Sequence, residues 1–62
     1  MSGNEFRKLR RSVDLSQAKL SKEMDVTVRS ITRWETGEVE IPKIAELALK
    51  LIVRDAKEKR GR

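Results

Sequence analysis

The chain has 62 residues, of which 15 are Lys or Arg and 10 are Asp or Glu, and it contains neither His nor Cys. A chain of this length forms at most one domain with a small core, so a deep catalytic cavity is not expected. Without His and Cys it lacks the commonest metal ligands and general base, and we predict no enzyme activity, no metal site and no cofactor. The net charge of +5 favours an anionic partner, nucleic acid or anionic lipid, without choosing between them.

The composition and the polar residues at segment ends predict an all-α domain. Ser2 and Glu5 have the spacing of a capping box, which predicts a first helix over residues 3–12. Ser16 is a suitable N-cap for a second helix over residues 17–24, in which Leu20 lies on the apolar face.

A third helix is predicted over residues 28–35, because Thr27 can cap its start and Gly37 can close it. Ile31 and Trp34 lie on its apolar side. For Trp34, core packing is favoured over a role as a stacking platform for bases, because its position on the helix faces inward.

The fourth helix begins near Pro42 and has apolar residues at helical spacing, namely Ile44, Leu47, Ala48, Leu51 and Ile52. Three further apolar residues widen this surface beyond one stripe, and we expect part of the helix to face a partner chain through Leu49, Val53 and Ala56. The predicted organisation is a domain over residues 1–53 and a basic tail over 54–62 that frays or adds a nonspecific phosphate contact.

The third helix carries a polar face without any acid. At about 100° per residue, one arc collects Val28, Arg29, Thr32, Arg33 and Thr36. Arg can pair two donors with guanine, Thr can hydrogen-bond a base, and Val can touch a thymine methyl group. This face therefore suits base reading in the major groove, the alternative being an ordinary solvated helix face.

Residues 15–37, with the sequence LSQAKLSKEMDVTVRSITRWETG, resemble the phage-repressor-like (lambda repressor-like) helix-turn-helix family. Pro42 also stands where members of that family commonly have Pro, and the resemblance covers about residues 6–52. It implies a compact bundle of four to five helices and a sequence-specific DNA-binding transcription regulator, usually a repressor. Such a protein is expected in the cytoplasm, associated with the nucleoid when bound.

The resemblance also implies roles for individual residues. The base-reading positions match Val28, Arg29, Thr32 and Arg33. Contacts to the DNA backbone are expected from Gln17, Thr36, Lys43, Arg10 and Ser16. Arg10 and Glu35 match a pair that ties the first helix to the end of the third, so Arg10 has two competing roles. The residues expected to be structural are Glu35, Trp34, Ile31 and Leu20.

Three departures from the family pattern affect these expectations. Asp25 replaces the usual Gly of the turn, where Asp tolerates a left-handed backbone at some cost. Glu38 and Glu40 occupy a loop that often carries basic phosphate contacts, so we expect that loop to be a weak DNA anchor. The usual fifth helix is missing, and we expect a longer fourth helix instead.

The expected partner is double-stranded DNA, bound by a homodimer on a palindromic operator. A second hypothesis is an antitoxin-like autoregulator whose fourth helix or tail also docks a partner protein. A third, a membrane-surface segment over residues 44–62, is disfavoured because its apolar positions are needed to cover the other helices.

Overall fold

The computed structural model describes residues 1–60, without the side chain of residue 60, and this part of the chain forms four helices and no strand. The helices are α1 (Gly3–Arg11), α2 (Gln17–Met24), α3 (Val28–Thr36) and α4 (Lys43–Arg60). The predicted all-α bundle is confirmed, and the predicted helix bounds agree with these to within one residue for α1 to α3.

Polar side chains cap the first three helices at the residues that the sequence indicates. Ser2 Oγ accepts from the Glu5 N–H at 3.1 Å, and the Glu5 carboxylate accepts from the Ser2 N–H at the same distance. Ser16 and Thr27 each accept at 3.1 Å from the backbone N–H three positions later. These bonds satisfy amides that have no partner inside the helix, which fixes where each helix begins.

Left-handed residues end α2 and α3. Asp25 has φ 56° and Gly37 has φ 83°, so Asp25 adopts the conformation expected of it in place of Gly. The link from α2 to α3 is therefore only three residues, 25–27, and the Val26 N–H donates back to the Ser21 carbonyl at 3.0 Å. This short link restricts the orientation of α3 relative to α2.

The core draws apolar side chains from all four helices and from the turn after α1. It consists of Phe6, Val13, Leu20, Ile31, Trp34, Ala45, Leu49 and Val53. The rings of Phe6 and Trp34 meet edge to face with centroids 5.8 Å apart. The inward placement predicted for Leu20, Ile31 and Trp34 is confirmed. Helices α1 and α2 both pack against α3 and α4, so the two pairs close one core.

Helix α4 exposes the apolar face opposite to the one that was predicted to be free. Leu49 and Val53 are 0% and 3% exposed and Ala56 is half-buried, so the expectation that these three face a partner is wrong. The large exposed side chains are instead Ile44, Leu47 and Leu51. Both sets recur at helical spacing. The set that packs against α1 and α2 is the one that lies on the same side of the helix as the small residue Ala45.

Helix α4 also continues to Arg60, although the apolar pattern predicts a frayed tail from residue 54. Apart from Asp55, the last turns consist of good helix formers. Arg54 and Glu58 stand four positions apart, as do Asp55 and Lys59. Ala56 still packs on the core. Residues 61 and 62 of the predicted tail lie outside the described part of the chain.

Candidate nucleic-acid interface

The two sides of α3 separate as its sequence indicates. Val28, Arg29 and Thr32 are exposed, and so is Thr36. Arg33 lies at the edge of this face and is partly covered. On the opposite side Ile31, Trp34 and Glu35 are buried, and Ser30 is half-buried. Helix α3 thus presents the predicted base-reading positions to solvent from a rigidly packed helix.

Gln17, the first residue of α2, joins the two helices of the motif. Its Nε2 donates to Glu35 Oε1 at 3.1 Å, and its Oε1 is 3.2 Å from the hydroxyl of Thr32. The Thr32 hydroxyl also lies 3.0 Å from the Val28 carbonyl. Both neighbours of that hydroxyl are acceptors, so its single proton points to one of them. Gln17, which is predicted to contact the DNA backbone, and Thr32, which is predicted to read a base, are therefore in direct contact.

The Glu35 carboxylate connects three elements at the end of α3. Arg10 donates to it from Nε at 2.7 Å and from Nη2 at 3.0 Å, while Arg7 Nε lies at 3.3 Å. The remaining Arg10 nitrogen, Nη1, donates to the Leu15 carbonyl at 2.8 Å. The Glu35 side chain is 1% exposed. The ion pair between Arg10 and Glu35 that the resemblance implies is formed, and it holds α1 to α3.

The environment of Glu35 keeps it ionised. Burial alone would raise the pKa of this carboxyl, but hydrogen bonds from Arg10, Gln17 and Arg7, together with the charge of Arg10, lower the pKa below its ordinary value of 4.5. The guanidinium of Arg10 is committed to this carboxylate and to Leu15. A direct contact from Arg10 to a DNA phosphate would require this arrangement to open.

Two residues that position α3 were missed from the sequence. Arg7 lies one turn before Arg10 on α1, and this i, i+3 spacing is the signal that could have indicated a shared partner. Gly3 has no such signal. A Cβ at Gly3 would lie 2.5 Å from the Glu35 carbonyl oxygen and 2.6 Å from that of Trp34. Only Gly permits the first turn of α1 to approach the end of α3 this closely.

An acid from the following loop lies beside the predicted base-reading face of α3. Glu38 Oε2 is 3.8 Å from Arg33 Nε, and the two side chains are 63% and 40% exposed. The loop acid that was expected only to weaken backbone contacts thus faces a predicted base-reading arginine.

The remaining predicted backbone contacts occupy three separate places. Ser16 caps α2, and its hydroxyl can still donate its own proton. Thr36 donates to the Arg33 carbonyl at 3.2 Å on α3. Lys43 opens α4, where its Nζ is 3.4 Å from Glu46 Oε2, and the described bonds do not connect it to α2 or α3.

Residues 6–52 match the family model described as helix-turn-helix. The chain belongs to the helix-turn-helix family. This confirms the phage-repressor-like resemblance, and it makes the chain a DNA-binding transcription regulator at the level of the family. No curated protein and no solved structure matches it. Within residues 1–60 of this helix-turn-helix protein, no helix is long and apolar enough to cross a membrane.

Proposed function

We propose that this helix-turn-helix protein is a repressor that reads an operator with α3 in the major groove. The observation that carries the proposal is the exposed face of α3, which holds two Arg, two Thr and one Val and no acid. The three-residue turn and the bonds to Glu35 fix this face relative to α2 and α1. A preorganised face of this kind can present several side chains to base edges in one register.

Each base-reading residue is assigned a chemical role. Arg29 and Arg33 are proposed to donate two hydrogen bonds each to guanine O6 and N7. Because the Thr32 proton points to acceptors within the protein, its oxygen lone pairs are suited to accept from the amino group of adenine or cytosine. Val28 is proposed to contact a thymine methyl group.

The proposed backbone contacts surround the start of α2 and the end of α3. The first amides of α2 attract a phosphate, and Ser16 and Gln17 can add donors there. Thr36 is proposed to turn its hydroxyl proton from the Arg33 carbonyl to a phosphate beside the end of α3. Lys43 is proposed as the basic residue of the next segment. These contacts set the orientation of α3 and carry no base information of their own.

Repression is proposed to follow from occupancy of a palindromic operator by two copies. One α3 reads only a few base pairs, so two copies on half-sites about 34–36 Å apart supply the specificity that a single domain lacks. The complex is proposed to form in the cytoplasm on the nucleoid.

Selection of bound sequences from random duplex DNA tests this function. The expected result is an inverted repeat whose half-sites each contain guanines, with centres about one helical turn apart. Selection with Arg29→Ala and with Arg33→Ala is the matched control, and each variant is expected to lose the preference at one base pair. Recovery of unrelated sequences by the unaltered protein would contradict the proposal.

A second candidate function is that of an antitoxin-like autoregulator, in which α4 docks a partner protein while α3 binds DNA. The exposed apolar residues of α4 favour it. Copurification of one defined protein from the native host, together with a change in operator affinity when that protein is added, would support it.

A further inference from the structure

Three large aliphatic side chains lie together on the solvent side of α4. Ile44, Leu47 and Leu51, here called the outer stripe, are 78%, 55% and 52% exposed. Their spacing of three and then four residues is that of the a and d positions of a heptad, which place side chains in one line along a helix. The outer stripe spans about 10 Å of helix at 1.5 Å per residue. A short amphipathic helix could cover it.

One flank of the outer stripe is basic. Lys43, Lys50 and Lys57, here called the lysine row, recur every seven residues and occupy the g positions beside the stripe. Glu46 pairs with Lys43 at 3.4 Å and with Lys50 at 3.2 Å, so a single acid serves two of the three lysines. The row as a whole keeps a positive charge. The opposite flank has Ala48 and Asp55 at the e positions.

This charge pattern is unfavourable for pairing with a second copy of α4. In an antiparallel pair, the lysine row of one copy would face the lysine row of the other. In a parallel pair, Lys50 of one copy would face Asp55 of the other, which is favourable. The line of the stripe, however, continues through Arg54 and Glu58, which would each meet their own counterpart at the centre of the contact. Like charges therefore meet in both orientations. A partner whose flank is acidic meets no such repulsion.

We propose that the outer stripe and the lysine row bind an amphipathic helix of another protein, one with its own aliphatic stripe and with Asp or Glu along the flank that faces the lysines. Burial of three large aliphatic side chains supplies the affinity, and the lysine row selects the charge and the orientation of the partner. This site is separate from the base-reading face. Lys43 belongs to the predicted DNA contacts, and Lys57 lies in the tail for which a nonspecific phosphate contact is an alternative. The tests therefore measure peptide binding and not DNA binding.

A displayed library of helical peptides about two heptads long provides the probe. Leucines are fixed along one stripe of each peptide and the flanking positions are random. The unaltered chain is expected to select peptides with Asp or Glu on one flank. The Leu47→Glu variant is expected to weaken binding of a selected peptide by at least about tenfold, since it puts a charge into the stripe. Val39→Glu is the matched control, because Val39 is also an exposed aliphatic residue but lies outside the stripe.

The double variant Lys50→Glu/Lys57→Glu is expected to reverse the selected flank from acidic to basic. Circular dichroism and urea unfolding verify that each variant is folded, independently of peptide binding and of DNA binding. The proposal is overturned if selection gives no charge preference, or if Leu47→Glu and Val39→Glu weaken the selected peptide equally. It is also overturned if the free chain sediments as a dimer that Leu47→Glu dissociates, or if anionic phospholipid vesicles bind through the stripe.

Discussion

The position of α3, the helix proposed to read bases, depends on contacts made by single residues near its end. Glu35 collects donors from α1 and α2, and Gly3 lets the backbone of α1 approach the carbonyls of Trp34 and Glu35. The pairing of Glu35 with Arg10 could be anticipated from the resemblance. The need for Gly3 could not, because it arises from a segment more than 30 positions away in the chain.

Gly3→Ala is expected to destabilise the protein, although the same change at an exposed helical position usually stabilises by roughly 0.5–1 kcal/mol. The added Cβ would overlap two carbonyl oxygens, and relief of that overlap costs about 1–3 kcal/mol. Urea unfolding measures the difference. Asn4→Ala, at the exposed next position, is the control. A higher unfolding midpoint for Gly3→Ala would contradict the close approach.

The ionised Glu35 makes stability depend on pH in a defined direction. Its pKa is lower in the folded chain than the ordinary value of 4.5, so its contribution is present above that value and is lost as the pH falls through the lower, folded pKa. The free energy of unfolding is therefore expected to fall on acidification below about pH 4.5. Glu35→Gln should show a shallower fall over the same range, and an unchanged pH dependence in this variant would contradict the assignment.

At the scale of whole elements, polar caps allowed the first three helices to be placed from sequence, because the capping bonds are local. The orientation of α4 could not be deduced in the same way. The helix has apolar residues on two sides, and its own periodicity does not say which side meets α1 and α2. That choice depends on packing between elements that are distant in sequence.

Leucines on the two sides of α4 are expected to differ sharply in their effect on stability. Leu49→Ala removes a fully buried side chain and should cost about 2–5 kcal/mol. Leu51→Ala makes the same substitution two positions later. It should change stability by no more than about 0.5 kcal/mol, because Leu51 lies on the exposed outer stripe. Thermal or urea unfolding of both variants measures this. Equal losses would mean that α4 packs in a different rotation.

At the scale of the whole molecule, the net charge of +5 indicated an anionic partner but not where it binds. The fold shows that local charge matters more than the total. The exposed face of α3 has no acid of its own, yet Glu38 from the next loop lies 3.8 Å from Arg33. The family, the helical fold and the bounds of α3 were predictable from sequence. The placement of Glu38 was not, since it depends on how the chain leaves α3.

Glu38→Gln is expected to increase DNA affinity by freeing Arg33. The pair is exposed and 3.8 Å long, so its energy is about 0.2–1 kcal/mol, which corresponds to an increase of at most about fivefold. Glu58→Gln makes the same change in net charge on α4 and is the control. Fluorescence anisotropy at fixed salt compares the two variants. Equal gains would show that net charge, not the contact with Arg33, governs the effect.

The most direct test of α3 as the reading helix is the affinity of the unaltered protein, Arg29→Ala and Arg33→Ala for the selected operator and for each of its single-base-pair variants. Each arginine variant is expected to lose about 1–3 kcal/mol on the operator and to become indifferent at one base pair. Thr36→Ala, which removes a proposed phosphate contact, should weaken binding to all of these sequences alike. Equal losses on every sequence for both arginine variants would contradict base reading by α3.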